Sequence, residues 1–381
     1  MFLAVKDLVF AKGRFALMAT VITLVAALIV ILSGMVSGLV DQNISGIKVV
    51  KATHIAFELD RVPSYTNSFV DREMWTAFEK SPQVAAATPV GNTLFNARIL
   101  NKETPLTLAL WGIVPGTFME PEIDAGGAAF NSDPRGVIVS QDLVEKGVAI
   151  GDVIKLDRVL TELKVIGTAP SRNIGHVPIV YAPMDLWQEA TYGPPGGPAP
   201  GDELPKALRD YASVIALQLK PDADMAAIKA LDDETGTTTV SRTESYNASP
   251  AYQEEVTSVS AIKFFMIFVS ALLVGAFFAV WTIQRTQEIG LVKALGASTG
   301  YLIRDALAQA LILMLGSIAI GLVIGFSAGA WIATTRASFV LIPADVGRNV
   351  VLLLIAGMVG AAASVRRIGK VDPIIALGAE R

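Results

Sequence analysis

Histidine and cysteine side chains, which often bind metal ions, are scarce in this chain, and one of its two histidines lies near a glutamate in the stretch KATHIAFELDR. A strand there would turn His54 and Glu58, together with Ala56, towards one face, and Ile55 and Phe57 towards the other. The chain holds two histidines and no cysteine. Thiolate metal sites, disulfides and cysteine nucleophiles are therefore excluded, and a histidine-rich site or histidine-based triad is not expected. A solvated glutamate and a surface histidine remain the alternative interpretation of these two residues.

The composition indicates a membrane protein. The elements that would position these residues therefore include membrane-spanning segments. Of the 381 residues, 52% are hydrophobic and 17% are charged, and the mean hydropathy is +0.52. A helix needs roughly 20 apolar residues to cross the hydrocarbon core. Four runs reach or approach this length, at residues 15–40, 257–283, 305–333 and 347–365. The first is too long for the apolar region of a cleaved signal peptide, so we interpret it as a retained signal anchor.

The distribution of charge predicts the orientation. Residues 41–256 hold 18 Lys+Arg and 29 Asp+Glu, a net charge of −11, while the remaining residues carry +7. The basic groups that flank the apolar runs are Lys6, Lys12 and Arg14, then Arg285, Lys293 and Arg304, and finally Arg366, Arg367 and Lys370. The positive-inside rule places these groups in the cytoplasm. Both termini are then cytoplasmic, residues 41–256 lie outside, and the chain is a multi-pass protein of a bacterial cytoplasmic membrane.

The predicted fold is an α-helical membrane protein with one span, a large extracytoplasmic α+β domain (41–256) and three more spans. That domain has strand-like runs such as GVIVS, DVIKL, ELKVIGT, VPIVYA and SVIALQL, with helix-like pieces between them. Its Pro- and Gly-rich stretch at 193–205 predicts an exposed loop or a joint between subdomains. The remaining predicted segments are an interfacial amphipathic helix or plain extension (1–14), a cytoplasmic coupling segment (284–304), a short outer loop (334–346) and a cytoplasmic tail (366–381).

The coupling segment contains RTQEIGLVKALGAS, residues 285–298, which predicts a short amphipathic helix. Its apolar stripe consists of Ile289, Val292 and Leu295. Arg285 and Glu288 can pair on the other face, and Gly296 stands where a C′ glycine ends a helix. An apolar ridge in water favours burial in the groove of a partner protein. Packing on the bilayer surface or on the chain itself is the alternative.

The same stretch resembles the coupling segment of FtsX/MacB-type ABC transporter permeases, where a basic residue, Glu-Ile-Gly and a Lys/Arg-Ala-Leu-Gly-Ala run follow one another. GVIVSQDLVEKGVAIGDVIKL and RRIGKVDPIIAL also resemble that family. The resemblance implies a permease that is not an enzyme and has no cofactor of its own. The chain contains no GxxxxGK[ST] phosphate loop, so a separate ATPase subunit would bind ATP. It also implies two permeases with two ATPases, and no nucleic-acid partner is expected. The ATPase-coupling positions would be Arg285, Glu288, Ile289, Gly290, Val292, Lys293, Leu295 and Gly296.

A narrower resemblance concerns the substrate. ILSGMVSGLVDQNIS, residues 31–45, is similar to the same region of haem-exporting, HrtB-like permeases of Gram-positive bacteria. Haem needs an apolar slot, an axial ligand and cations for its propionates. The small residues Ser33, Gly34, Ser37 and Gly38 keep one face of the first span thin, although helix packing explains them equally.

The resemblance suggests a set of haem-binding residues. Glu58 or His54 would ligate iron, with one such residue from each chain of a homodimer. Met35, Met266 and Lys263 would line the apolar slot or its margin, and Lys48, Lys51 or Arg61 would meet the propionates. Simple packing for the methionines, interfacial snorkelling for Lys263 and ordinary surface charge for the other cations are the alternatives.

Haem export is therefore the leading hypothesis. A MacB-like or lipoprotein-releasing machine, which moves a peptide, lipid or drug through motion of the outer domain, is the alternative within the family. A signalling permease that controls an extracellular partner and transports nothing is a third hypothesis. A membrane enzyme is disfavoured because no paired carboxylates or nucleophile constellation stands out near the spans.

Overall fold

The computed structural model describes residues 12–59, 62–102, 104–127, 130, 133–196, 204–284, 286–335 and 338–365. The chain divides into two compact units. We name residues Val40–Glu255 the inserted domain, and Met1–Leu39 with Val256–Arg381 the span unit.

Nine α-helices and two short 3-10 helices, Lys206–Arg209 and Glu244–Ala248, are formed by the described residues, and the α-helices are named here. In chain order they are α1 (Lys12–Val49), α2 (Arg72–Lys80), α3 (Gln141–Glu145), α4 (Met184–Tyr192), α5 (Met225–Thr235), α6 (Tyr252–Gln284), α7 (Thr286–Ala294), α8 (Thr299–Ala333) and α9 (Pro343–Val365). Helices α1, α6, α8 and α9 are long and apolar enough to cross a membrane. The predicted arrangement of one span followed by three is confirmed. Helix α1 runs nine residues beyond the apolar stretch from which its span was predicted.

The span unit is held together by close helix contacts at small residues. A Cβ placed on Gly321 of α8 would lie 2.6 Å from the carbonyl oxygen of Thr23 in α1, so only glycine permits this approach. The Thr23 hydroxyl donates to the carbonyl oxygen of Ser317, at 3.1 Å. Between α6 and α9, Ser364 donates to the carbonyl oxygen of Gly275, at 2.6 Å. Small residues and interhelical hydrogen bonds of this kind are how helices associate in lipid, where apolar burial gives little driving force.

The inserted domain is built on a mixed sheet. The strands are β1 (His54–Glu58), β2 (Val70–Asp71), β3 (Val84–Ile99), β4 (Pro105–Ile113), β5 (Ala125–Gly126), β6 (Gly136–Ser140), β7 (Val153–Leu156), β8 (Glu162–Ala169), β9 (Asn173–Ile174), β10 (Val177–Pro183), β11 (Tyr211–Ala212), β12 (Val214–Leu219) and β13 (Thr237–Ser241). Their order in the large sheet is β13-β1-β12-β3-β4-β10-β6-β8-β5, with β7 pairing with β3 and β8, and β9 pairing with β10. Strands β2 and β11 form a separate pair. The predicted α+β fold is confirmed.

Both faces of the large sheet are buried. On β4, Leu108 and Leu110 join a core with α2, α4 and α5, whereas Trp111 and Ile113 join a second core on the opposite face. The last turns of α1 contribute to that second core. Strands covered on both faces read as continuous apolar runs. This explains why stretches such as VPIVYA predicted strands correctly.

Some predicted segments lie outside the described residues. These are residues 1–11 of the predicted interfacial helix, 197–203 of the Pro- and Gly-rich loop, and the tail at 366–381.

Candidate functional site

Strand β1 positions both candidate iron ligands, but at opposite ends. It lies between β12 and β13 in the sheet. Its three central residues are buried, with Ala56 in one core and Ile55 and Phe57 in the other, so the predicted alternation is correct. His54 and Glu58 remain half-buried at the two ends. Four residue steps along a strand span about 13 Å, so one chain cannot bring both side chains to a single iron.

His54 presents one ring nitrogen to its neighbour and leaves the other for a further contact. Its Nδ1 lies 3.1 Å from the hydroxyl oxygen of Thr53. Burial lowers the pKa of His54 below its ordinary 6.5, and the carboxylate of Glu244 opposes that shift by favouring the charged ring. The neutral imidazole is the form that ligates a metal. The environment of His54 therefore favours the neutral imidazole, the form that can ligate a metal.

We expect the His54 imidazole to titrate below pH 6.5, with a still lower midpoint in Glu244→Gln because that variant removes the charge that favours the imidazolium. The folded state then binds fewer protons than the unfolded state, so stability from this group is lost as the pH falls below 6.5. NMR of histidine-labelled protein measures both midpoints, with His54→Gln assigning the signals. A midpoint that rises in Glu244→Gln would contradict this account.

Glu58 is held by its backbone at the far end of β1. Its N–H donates to the hydroxyl of Ser68, at 2.9 Å, which ties the strand end to the 62–69 segment. Ser68 itself is buried. The backbone position of Glu58 is thus fixed, and its Oε2 is buried.

The small-residue face of α1 is covered by the segment that joins α8 and α9. A Cβ on Gly34 would lie 2.3 Å from the ring of Phe339, and one on Gly38 would lie 2.5 Å from the backbone of Ser338. Val340 N–H donates to the carbonyl oxygen of Gly34 at 3.0 Å. Within the span unit, the small residues of this face therefore allow close packing, which was the alternative interpretation of them.

A large side chain on this face of α1 should destabilise the span unit. We expect Gly34→Leu to destabilise it by about 1–3 kcal/mol, the usual cost of overpacking a core. Gly316→Leu on α8 is the matched control, since a Cβ there meets open space. Thermal unfolding in lipid nanodiscs compares the two variants. Equal melting temperatures for Gly34→Leu and the control would contradict the packing, and Gly34→Leu/Phe339→Ala should recover part of the loss.

Met35, Met266 and Lys263 all belong to the span unit. Met35 is 46% exposed and lies on a stripe of outward-facing apolar residues of α1. That stripe also contains Leu17, Leu24, Leu28 and Leu39. Met266 of α6 is half-buried and packs against the core of the unit. Lys263, one turn before it, is half-buried.

A buried polar contact in the spans was missed by sequence reasoning. Asn349 of α9 donates through Nδ2 to Ser33 Oγ of α1, at 2.9 Å, and both side chains are buried. A polar residue inside an apolar run is the signal that could have identified Asn349, because such residues turn towards the bundle interior.

The coupling segment forms helix α7, and Gly296 ends it as predicted. Gly296 has φ +96°, its N–H donates to Lys293 O, and Ala297 N–H donates to Val292 O. This pair of hydrogen bonds is the Schellman motif. Leu295 is 81% and Leu291 51% exposed, whereas Val292 and Lys293 are half-buried and Gly290 is buried. Arg285 and the side chains of Glu288 and Ile289 lie outside the described residues, so the predicted pairing and full stripe remain predictions.

Within the described part of the chain, no group of three or more His, Asp or Glu side chains could hold a metal ion. His176 contacts Glu255 through Nε2, far along the chain from His54.

Two protein-family models match the sequence. The MacB-like periplasmic core domain matches residues 15–232, more than half of the chain, and the FtsX-like permease C-terminal model matches residues 260–373. The chain belongs to the FtsX/MacB-type permease family. It is therefore a transporter permease and not an enzyme, and its four apolar helices place it in a bacterial cytoplasmic membrane.

Curated relatives resemble this permease over their whole length. A protein of Staphylococcus epidermidis named "Putative hemin transport system permease protein HrtB" is 22% identical over 376 residues, covering 99% of both chains. The protein of the same name from Staphylococcus haemolyticus is 23% identical over 389 residues, again covering 99% of both.

Solved structures align with about half of the permease. The periplasmic region of MacB from Actinobacillus actinomycetemcomitans is 14% identical with a TM-score of 0.36, covering 54% of this chain and 95% of that one. The extracellular domain of the noncanonic ABC-type transporter YknZ from Gram-positive bacteria is 17% identical with a TM-score of 0.34, covering 50% and 99%.

Proposed function

We propose that this chain is the permease subunit of an ATP-driven exporter that removes haem from the cytoplasmic membrane. The observation that carries the proposal is the similarity, over 99% of both chains, to relatives whose name states hemin transport. Haem is a flat apolar ring with two carboxylates, so it partitions into bilayers and reaches a membrane permease from the lipid.

A separate ATPase subunit supplies the energy, and two copies of each subunit form the complex. The exposed Leu291 of α7 and Leu295 directly after it support docking on such a subunit, because exposed apolar side chains at a short helix are anchors for a groove. In this proposal α7 and both termini face the cytoplasm, and the inserted domain lies outside.

The iron is bound by Glu58 or His54, one from each chain of a homodimer. A single chain holds these side chains about 13 Å apart along β1, so a shared iron requires the same residue from a second copy. Of the cations considered for the propionates, Lys48 is engaged with Asp41, at 2.5 Å, and Lys51 is exposed. Arg61 lies outside the described residues.

Haemin titration of the full chain in lipid nanodiscs tests the proposal. We expect a saturable shifted Soret band that is lost in Glu58→Ala or in His54→Ala, which identifies the ligand. Glu244→Ala is the matched control, because it removes a carboxylate beside His54 without removing a proposed ligand. A spectrum identical to that of empty nanodiscs would contradict haem binding and leave the permease family intact.

A MacB-like machine is the second candidate function, and the match of residues 15–232 to the MacB-like core domain favours it. In that case the moving part is the inserted domain, and the cargo is a peptide, lipid or drug. Absence of a haemin shift, combined with co-purification of an extracytoplasmic protein, would support this candidate.

A further inference from the structure

The chain passes between the span unit and the inserted domain twice, and both crossings lie inside long helices. The first crossing falls between Leu39 and Val40 of α1, and the second falls between Glu255 and Val256 of α6. These two helices are therefore the covalent routes by which a change in one unit reaches the other. The residues that fix the two helices at the inserted-domain side of the crossings decide how faithfully such a change is passed on.

Asn43 of α1 ties the two routes together inside the inserted domain. Its side chain is fully buried, so its polar atoms depend on partners within the fold. Its Nδ2 donates to the carbonyl oxygen of Pro250 at 2.9 Å and to Glu255 Oε2 at 3.3 Å, and its Oδ1 accepts from Ser249 Oγ at 2.6 Å. Both ends of this amide are thus engaged by the first turn of α6 and the residues that lead into it. A buried polar network that is satisfied in this way favours a single rigid arrangement.

His176 holds the same carboxylate from the turn between β9 and β10. Its Nε2 contacts Glu255 Oε1. Gly175 and His176 are the two residues between the paired Ile174 and Val177, and their φ angles are +56° and +63°. A hairpin turn with positive φ at both positions favours Asn and Gly, and another residue there costs roughly 1–2 kcal/mol. The contact with Glu255 offsets this cost and explains a histidine at this position. Because β10 lies between β4 and β6, the contact links α6 to the large sheet.

We infer that Asn43, Glu255 and His176 form a clamp that makes the end of α1, the base of α6 and the large sheet one rigid element. All three are positioning residues, since none of them is a proposed ligand of iron. When the clamp is broken, the base of α6 moves independently of the sheet, and the coupling between a ligand at β1 and the ATPase is weakened. This last consequence rests on the proposed function, whereas the rigidity of the clamp does not.

Distances between two spin labels, measured on the full chain in nanodiscs, test the clamp. The chain has no cysteine, so Gln253→Cys at the base of α6 and Lys229→Cys on α5 provide two exposed labelling sites within the inserted domain. We expect a narrow distance distribution in this labelled parent chain. Adding Glu255→Ala or His176→Asn should widen the distribution about twofold, because each removes a contact that fixes α6. Asparagine is tolerated at positive φ, so the second variant removes the contact while preserving the turn.

Two further variants serve as matched controls. Glu255→Gln keeps two hydrogen-bonding atoms on the side chain and should keep the distribution narrow. Lys164→Gln removes an ion pair with Asp133 elsewhere in the inserted domain and should not widen it. In the complex with the ATPase, Glu255→Ala and His176→Asn should keep basal ATP hydrolysis and the haemin Soret shift. The haemin-stimulated increase in rate should fall about fivefold or more, as expected for the loss of a coupling contact.

A distribution as narrow in Glu255→Ala and His176→Asn as in the labelled parent would overturn the inference. Equal widening by Lys164→Gln, or full haemin stimulation in the two clamp variants, would overturn it as well. Both clamp variants change partly exposed side chains, so the test does not depend on the folding of a variant at the buried Asn43. A wild-type complex whose hydrolysis rate is independent of haemin would contradict the proposed function. The distance measurement, which involves no haem, would then decide on the clamp by itself.

Discussion

Replacing Leu295 with aspartate should abolish assembly of the permease with its ATPase subunit while leaving the permease folded. Leu295 directly follows α7 and has 81% of its surface exposed, so its own chain loses little packing when it is changed. Docking of a leucine in a partner's groove contributes roughly 1.5–3 kcal/mol, and a carboxylate forced into the same groove adds a desolvation cost. Together these reduce affinity by more than a hundredfold.

Co-purification of the ATPase with a tagged permease from its own cells measures this effect. Val62→Asp is the matched control, because Val62 is 86% exposed and belongs to the inserted domain. It introduces the same charge at a similar exposure and should keep the ATPase bound. Normal recovery of the ATPase with Leu295→Asp would show that α7 is not the docking element.

The second large effect, a loss of stability, is expected on substitution of Gly91. Together with Gly112, Gly91 forms the surface against which Trp187 packs. The two glycines face each other across β3 and β4. A Cβ on Gly91 would lie 2.1 Å from the Trp187 ring, and one on Gly112 would lie 2.5 Å from Trp187 Cβ. Trp187 is 1% exposed, and its indole N–H donates to Thr93 Oγ1 at 3.1 Å. We expect Gly91→Ala to destabilise the inserted domain by about 3 kcal/mol, the upper range for overpacking.

Thermal unfolding of the full chain in nanodiscs, followed by tryptophan fluorescence, measures this loss. A smaller ring should relieve the clash, so Gly91→Ala/Trp187→Phe is expected to be more stable than the sum of the two single changes predicts. Additive losses would show that Gly91 and Trp187 do not share this contact.

The sequence predicted strands well where they are covered on both faces, and poorly where they contain residues that disfavour strands. Strand β3 went unrecognised because VAAATPVGNTLFNARI contains Pro89, Gly91 and Asn92. The structure tolerates Pro89 because pairing of β3 with β4 begins only at Val90. Gly91 is required by Trp187, which lies 96 positions later. A contact at that separation leaves no local periodicity to find.

The sequence predicted the alternation of side chains along β1 but not how the candidate residues are arranged in space. Alternation along β1 was correct, yet the length of that strand separates His54 from Glu58. The small residues of α1 indicated a thin helix face, but nothing local to them indicated that Phe339 would cover it. On α7, a three-residue spacing indicated a stripe through Val292, whereas Leu291 and Leu295 are the more exposed pair. Identifying which residues cover an exposed face or a face of small residues requires the three-dimensional structure.

The measurement that tests the central claim most directly is ATP hydrolysis by the complex purified through a tagged permease from its own cells. The account predicts that an ATPase co-purifies and that haemin raises its hydrolysis rate with a saturable dependence. It also predicts that the Glu58→Ala or His54→Ala variant that loses the Soret shift loses this stimulation as well. A complex with an active ATPase whose rate is the same at every haemin concentration would contradict haem export, and a permease that recovers no ATPase would contradict the coupling assigned to α7.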